Sequence, residues 1–237
     1  MAAFAAYQRK MFPHVFNVEM HIHSIAGGTP SDPKIALGWI RSKFQDNDEY
    51  IRDLVLQTMA ERGVSEDDAI EHAAILNRLN GFKRDEHGLY VEGRHVKAML
   101  KENASIAQQG KKLKAKWGSG TNKKGEETGG KNAKSFLTEH VFVIEDRIHL
   151  GRLECDEIVQ RFIHKWSGSA IQYEELVYDA TVRFTVESDH EFTDDEWAAI
   201  WTGAERNGLG ASRSQGCGRF TVTKWERQEP KKGRKAA

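Results

Sequence analysis

From residue 15 to 23 apolar and polar side chains alternate, with Phe16, Val18, Met20 and Ile22 on one side and Asn17, Glu19, His21 and His23 on the other. A period of two predicts a half-buried strand. It ends at Ala26-Gly27-Gly28-Thr29-Pro30, a loop by composition. Residues 33–62 carry Ile35, Trp39 and Ile40, then Ile51, Leu54, Val55 and Met59, at helical spacing, with Gly63 as a stop. Ser65-Glu66-Asp67-Asp68 starts a further helix running to about Leu79. Residues 82–84 and 89–92 flank Asp85-Glu86-His87-Gly88 and read as a hairpin, and residues 94–106 as a short helix. Strand-like segments follow at 136–144, 158–163 and 178–187. Thr193-Asp194-Asp195-Glu196 is a capping box ahead of Trp197, Ile200, Trp201 and Ala204 at helical spacing. A glycine-rich loop over 207–218 then leads into a strand over 219–225.

This order predicts an α+β fold. The β–α–β unit over 178–225, with the opening strand and a later helix before it, assembles as a βαββαβ, ferredoxin-like (RRM-like) core with helical and lysine-rich loop insertions. We expect one domain over residues 14–228, with loosely ordered termini at 1–13 and 229–237. No repeat of fixed short period is present.

Charge changes the picture. Lys+Arg and Asp+Glu are equal at 35 each, so the formal net charge is zero. Yet residues 105–135 hold eight lysines against Glu126 and Glu127, a net of +6. The segment 224–235 is +4, which leaves the remainder at −10. An acidic body with basic arms suits a polyanionic partner. The stretch 107–135 has only Leu113 and Trp117 as sizeable apolar residues. Such composition buries too little surface to offset its ordering entropy, so it is expected to be a flexible basic insertion. No run approaches the roughly 18 apolar residues of a membrane helix. The positive charges of the N-terminal segment follow its Ala/Phe run rather than precede it, so no export signal is read. Cys155 and Cys217 lack disulfide-scaffold or zinc-finger spacing, and a reducing cytoplasm fits.

The richest candidate for chemistry is Gly208-Leu209-Gly210-Ala211-Ser212-Arg213-Ser214-Gln215-Gly216-Cys217-Gly218-Arg219-Phe220. Its glycines let the backbone turn tightly and approach a ligand. No Gly-Lys-Ser/Thr ending is present, so it is not a Walker loop, and it follows a helix rather than opening one, so it is not a dinucleotide fingerprint. A helix, then Gly-Leu-Gly, then Gly-x-Gly-x-Phe entering the last strand resembles the glycine-rich loop of the CRISPR-associated RAMP superfamily, and short phage-encoded proteins of the same fold. The resemblance implies a ferredoxin-like fold that binds and in some members cleaves RNA. It makes Gly208, Gly210, Gly216 and Gly218 the motif, with Arg213 and Arg219 as cations beside it. It also likens the lysine-rich insertion to the thumb of repeated backbone subunits.

Within that insertion, Lys111, Lys112, Lys114, Lys116, Lys123 and Lys124 are expected to neutralise phosphates, and Trp117 to offer a stacking surface. His21 and His23 share a strand face and are the weak catalytic candidates, since a near-neutral imidazole suits general base work on a 2′-hydroxyl. A metal set of His21, His23 and Glu19 is geometrically conceivable but unspecific in spacing. The carboxylate clusters sit at helix starts, where they complement the dipole. The leading expectation is therefore a non-catalytic protein, without cofactor or metal, that holds single-stranded RNA or DNA, with self-association into a filament or multisubunit complex. The alternatives are a metal-independent endoribonuclease using His21 and His23, and a structural protein meeting an acidic protein surface.

Overall fold

The alternating segment forms strand β1 (His14–Ala26), with Phe16, Val18, Met20 and Ile22 buried and Asn17 and His23 exposed. The computed structural model describes Tyr7 and residues 10–30, 33–76, 79–113, 117–121, 127–165 and 168–228. Its elements, in order, are β1, β2 (Thr29–Pro30), α1 (Pro33–Gln45), α2 (Glu49–Arg62), α3 (Glu66–Leu76), β3 (Leu79–Gly81), β4 (Lys83–Asp85), β5 (Gly88–Glu92) and α4 (Gly93–Gln109). There follow β6 (Trp117–Thr121), β7 (Glu127–Lys131), α5 (Ala133–His140), β8 (Val141–Val143), β9 (Arg147–His149), β10 (Glu157–Lys165), β11 (Gly168–Ser188), α6 (Asp194–Asn207) and β12 (Phe220–Arg227). The fold is mixed α+β, and most of the expected termini lie outside the described residues.

The chain divides into two compact units: Met1–Ile25, Tyr90–Arg152 and Tyr178–Ala237 form the first, Ala26–Leu89 and Leu153–Val177 the second.

In the second unit the helical run 33–62 is two helices. Asn47 takes a left-handed φ of 58°, and Asp48 caps α2 by accepting from the Ile51 amide at 3.1 Å. Helices α1 to α3 enclose Ile40, Ile51, Val55, Ala69, Ile70 and Ala73. The first half of β11 pairs antiparallel with β10 and parallel with β3, and β3 pairs with β2. Gly27 lies so close to β3 that a Cβ there would sit 2.3 Å from the Gly81 carbonyl carbon, so the sequence loop is a backbone-to-backbone contact. Two buried carboxylates brace this sheet. Glu174 accepts from Arg161 Nε at 2.8 Å, and Glu175 accepts from Arg84 at 2.6 Å and from the Phe82 amide at 3.0 Å. Beside them, burial and the Glu175 carboxylate push the Cys155 thiol above its ordinary value.

The first unit has β1 between β12 and β11, with β8 antiparallel to β11. Val18, Met20, Ile22, Ala180, Val182, Phe184 and Val186 face one side of this sheet and are buried. Trp197 and Trp201 of α6 pack there against Phe16, Phe184, Phe220 and Trp225. The Thr193–Glu196 capping box forms as read: the Thr193 hydroxyl accepts from the Glu196 amide at 3.2 Å, and the Glu196 carboxylate accepts from the Thr193 amide at 2.9 Å.

The described residues within 107–135 include regular elements. Helix α4 runs on to Gln109, and β6 and β7 form an antiparallel hairpin with Trp117 opposite Lys131. Trp117 is only 2% exposed, its indole Nε1 donates to Glu196 at 3.3 Å, and its ring meets Phe136 and Phe192. It offers no free stacking face. One large aromatic with a long-range pocket anchors a segment whose composition alone reads as unordered. The strand expected at 136–144 is mostly helix α5, because Asn132 caps it by accepting from the Ser135 amide at 2.9 Å and because Phe136, Leu137 and Ala133 form one buried face.

Replacing Trp117 by Ala should lower stability by about 3–5 kcal/mol, the cost of emptying a large aromatic site. Urea unfolding measures it, and a loss below about 1 kcal/mol would mean the hairpin is not anchored there. Burial, with Tyr50 and Asp48 nearby, pushes the Tyr173 phenol up to about 12. Its folded value exceeds the unfolded value of about 10, so its contribution is full below pH 10 and declines as pH rises from 10 toward 12. Absorbance titration near 295 nm should show one tyrosine ionising later than the others, and Tyr173→Phe should remove that step.

Candidate nucleic-acid interface

The polar side of the first unit's sheet follows from strand parity. It presents Glu19, His21 and His23 from β1, Asp179, Thr181 and Arg183 from β11, and Thr221 and Thr223 from β12. Cross-strand register sets His21 opposite Thr221 and Ile22 opposite Phe220. A bulge between Glu19 and Met20 leaves Thr223 over Glu19, whose carboxylate accepts from that hydroxyl at 3.0 Å and from Arg183 at 2.7 Å. Those two bonds hold Glu19 below the usual carboxylate range. Glu19 is therefore committed to Thr223 and Arg183.

His21 and His23 meet edge to face with ring centroids 5.2 Å apart, and His21 Nε2 lies 3.5 Å from Asp179 Oδ1. Asp179 has a left-handed φ of 46°, and the in–out alternation slips there, since Tyr178 and Asp179 are both exposed before buried Ala180. The sequence reading paired the histidines with Glu19. Continuing the outward parity of Thr181 and Arg183 back to Asp179 would have found the carboxylate that reaches them.

At the edge of this face lies the glycine loop. Gly208, Gly210, Gly216 and Gly218 all have φ between 80° and 90°. Their roles separate on space. A Cβ on Gly218 would lie 2.0 Å from the Leu209 carbonyl oxygen, and one on Gly208 would lie 2.8 Å from the Gly218 carbonyl carbon. Around Gly216 there is no atom within 4 Å. Leu209 and Cys217 are buried and pin the loop from within. The Gly218 amide donates to the Ser24 carbonyl at 2.6 Å, the Leu209 amide to the Gly218 carbonyl at 2.8 Å, and the His23 amide to the Arg219 carbonyl at 3.1 Å. The loop is thus fastened to the end of β1.

Its two arginines part company. Arg213 is tied to Glu102 of α4 through bonds of 2.7 and 3.3 Å. Arg219 is exposed and shares an open cleft of about 590 Å³ with His23, Glu205, Arg206 and Phe220. Among the described residues, neither Arg206 nor Arg219 has a side-chain partner. Arg206, immediately before the loop in the last turn of α6, escaped the sequence reading because a lone helix-terminal arginine reads as a dipole partner. Lys111 and Lys112 are exposed, whereas Lys114, Lys116, Lys123 and Lys124 lie outside the described residues.

No protein-family model matches the sequence, and no curated protein matches it. Among solved structures, a chain of the Type III-B Cmr-beta complex bound to cognate target RNA, determined by cryo-electron microscopy, is similar at 13% identity and a TM-score of 0.45. The match covers 95% of this chain and 65% of that one, so this chain spans less than two thirds of its length. A chain of a Type IV-B CRISPR complex is similar at 9% identity and a TM-score of 0.39, over 88% of this chain and 90% of that one.

The loop geometry separates two substitutions. Gly218→Ala should lower the melting temperature by several degrees, because the added carbon collides with backbone. Gly216→Ala faces only left-handed strain of about 1–2 kcal/mol. Differential scanning calorimetry of both variants checks this. Equal losses would show that the loop is not held by the Leu209–Gly218 contact.

Proposed function

We propose that this chain is a non-catalytic subunit that holds single-stranded RNA or DNA by its phosphate backbone, as part of a filament or multisubunit assembly. The observation that carries the reading is the pairing of a glycine loop, fixed against the end of β1, with two exposed cations beside it, Arg206 and Arg219. Phosphate recognition needs positive charge that is not already neutralised. Arg213 is neutralised by Glu102, so in this reading it positions the loop on α4 and Arg219 carries the contact. The adjoining sheet face adds imidazoles, hydroxyls and Arg183.

Strand order supports a ferredoxin-like core in the first unit. Counting β1, β8, β11 and β12 as first to fourth, the spatial order is fourth, first, third, second. Helix α4 falls between the first two strands in sequence and α6 between the last two, as a βαββαβ plan requires. Lys111 and Lys112 at the end of α4 extend the basic surface, and the remaining lysines of the insertion add to it by composition.

The second reading, a metal-independent endoribonuclease, is favoured by the His21–His23–Asp179 arrangement. One imidazole there has a carboxylate at 3.5 Å to orient it, and the other has the Thr221 hydroxyl at 3.5 Å.

Labelled single-stranded RNA, single-stranded DNA and duplex, titrated in EDTA over a salt series, separate the readings. Backbone binding gives a log-linear loss of affinity with salt, and Arg206→Ala/Arg219→Ala flattens the slope by about 1.4, the value for two single-strand phosphates. An unchanged slope in that variant overturns the assignment of the cations. RNA cleavage in EDTA that disappears in His21→Ala overturns the non-catalytic reading.

A further inference from the structure

The histidine–carboxylate cluster on the outer sheet face has a chemistry that backbone binding does not use. His21 and His23 stand two residues apart on β1, and Asp179 comes from the neighbouring β11. Each offers one ligand atom, and the three atoms all lie within 4.8 Å of one another. We propose that His21, His23 and Asp179 form a binding site for a divalent transition-metal ion of zinc's class, with the remaining coordination positions open to solvent.

Four observations carry it. First, the donor set is right for such an ion. Two imidazoles and one carboxylate suit borderline cations such as Zn²⁺, whereas Mg²⁺ and Ca²⁺ take oxygen.

Second, the spacing is right. Metal–ligand bonds of about 2.0–2.2 Å put tetrahedral ligand atoms roughly 3.4 Å apart. The His21 Nε2 to Asp179 Oδ1 edge is already 3.5 Å. The widest edge needs to close by little more than about 1 Å, which exposed imidazole and carboxylate rotations supply.

Third, the backbone is committed to this placement. Asp179 shares the outward parity of Thr181 and Arg183, which puts its carboxylate on the histidines' side of the sheet, and it holds a left-handed φ of 46° inside the strand. A residue with a Cβ keeps that conformation at a free-energy cost. As a plain surface ion pair, His21 and Asp179 would return little for it, their side chains being 36% and 76% exposed.

Fourth, the neighbours leave the cluster available. Glu19, the other acid of the row, is occupied by Thr223 and Arg183, while the Thr221 hydroxyl stands 3.5 Å from His23 Nε2, within reach of a metal-bound water.

With neutral imidazoles the cluster carries a single negative charge, so a bound dication leaves the site net positive. Three protein ligands with an open fourth position is the arrangement that accepts an exchangeable oxygen ligand. This inference stands on the cluster's own geometry and does not depend on nucleic-acid binding.

The experiment is titration of the full chain, free of any affinity tag, with ZnCl₂ by isothermal calorimetry. Co²⁺ absorption provides a second, spectroscopic readout. We expect one equivalent bound, with visible Co²⁺ bands of a four- or five-coordinate nitrogen/oxygen site. His21→Ala, His23→Ala and Asp179→Asn should each weaken binding at least tenfold. All three positions are at the surface, and circular dichroism of each variant establishes that the fold is kept. Absence of stoichiometric binding overturns the proposal, as does a stoichiometry and affinity preserved in the His21→Ala/His23→Ala chain, which would place the ion elsewhere.

Discussion

The carboxylate of Glu196 works at both ends. One oxygen accepts from the Thr193 amide and closes the first turn of α6, and the other accepts from the indole of Trp117. The same side chain therefore fixes where α6 begins and where the β6–β7 hairpin docks. The aromatic cluster of the first unit grows from that point: Trp117 meets Phe192 and Phe136, Phe192 meets Trp197, and Trp197 meets Phe16 and Trp225. Each ring buries a large apolar area, and the edge-on and tilted geometries use the ring quadrupoles as well. With α6 held this way, its far end delivers Arg206 and Gly208 to the rim of the sheet.

The two faces of that sheet differ in chemistry. The inner face is mostly aliphatic and aromatic, so it supplies the burial on which the fold rests. The outer face holds imidazoles, hydroxyls, carboxylates and one arginine, all polar groups that add little apolar burial. Between them, the glycine loop is fastened at its ends: Gly208 bonds back to α6, Gly218 donates to the Ser24 carbonyl of β1, and Leu209 and Cys217 are buried.

Local patterns carried the sequence reading far. The alternation of β1, the capping box before α6 and the glycine spacing of the loop depend on neighbours within a few residues, and each was legible. What eluded it depended on distance along the chain. Trp117 looked isolated in a polar stretch because its partners, Phe136, Phe192 and Glu196, are remote in sequence. Arg213 looked like a free cation until α4 brought Glu102 to it, and Asp179, though on the outward parity of its strand, became a partner of the histidines only because β11 lies beside β1. The break in the first long helix was written locally, in Asn47 and Asp48, but competed with a continuous apolar periodicity on either side.

The pairing of β1 with β12 has a consequence for how the chain is made. Phe16 lies opposite Arg227, so β1 is synthesised well before the strand it pairs with. The second unit, by contrast, draws on no residue beyond Val177. Vectorial synthesis therefore allows that unit to fold while the first still lacks α6, the glycine loop and β12. Until then the apolar side of β1 has no partner strand on that edge, and its protection falls to whatever binds nascent hydrophobic segments. Such long sequence separation also places the first unit among slow-folding topologies.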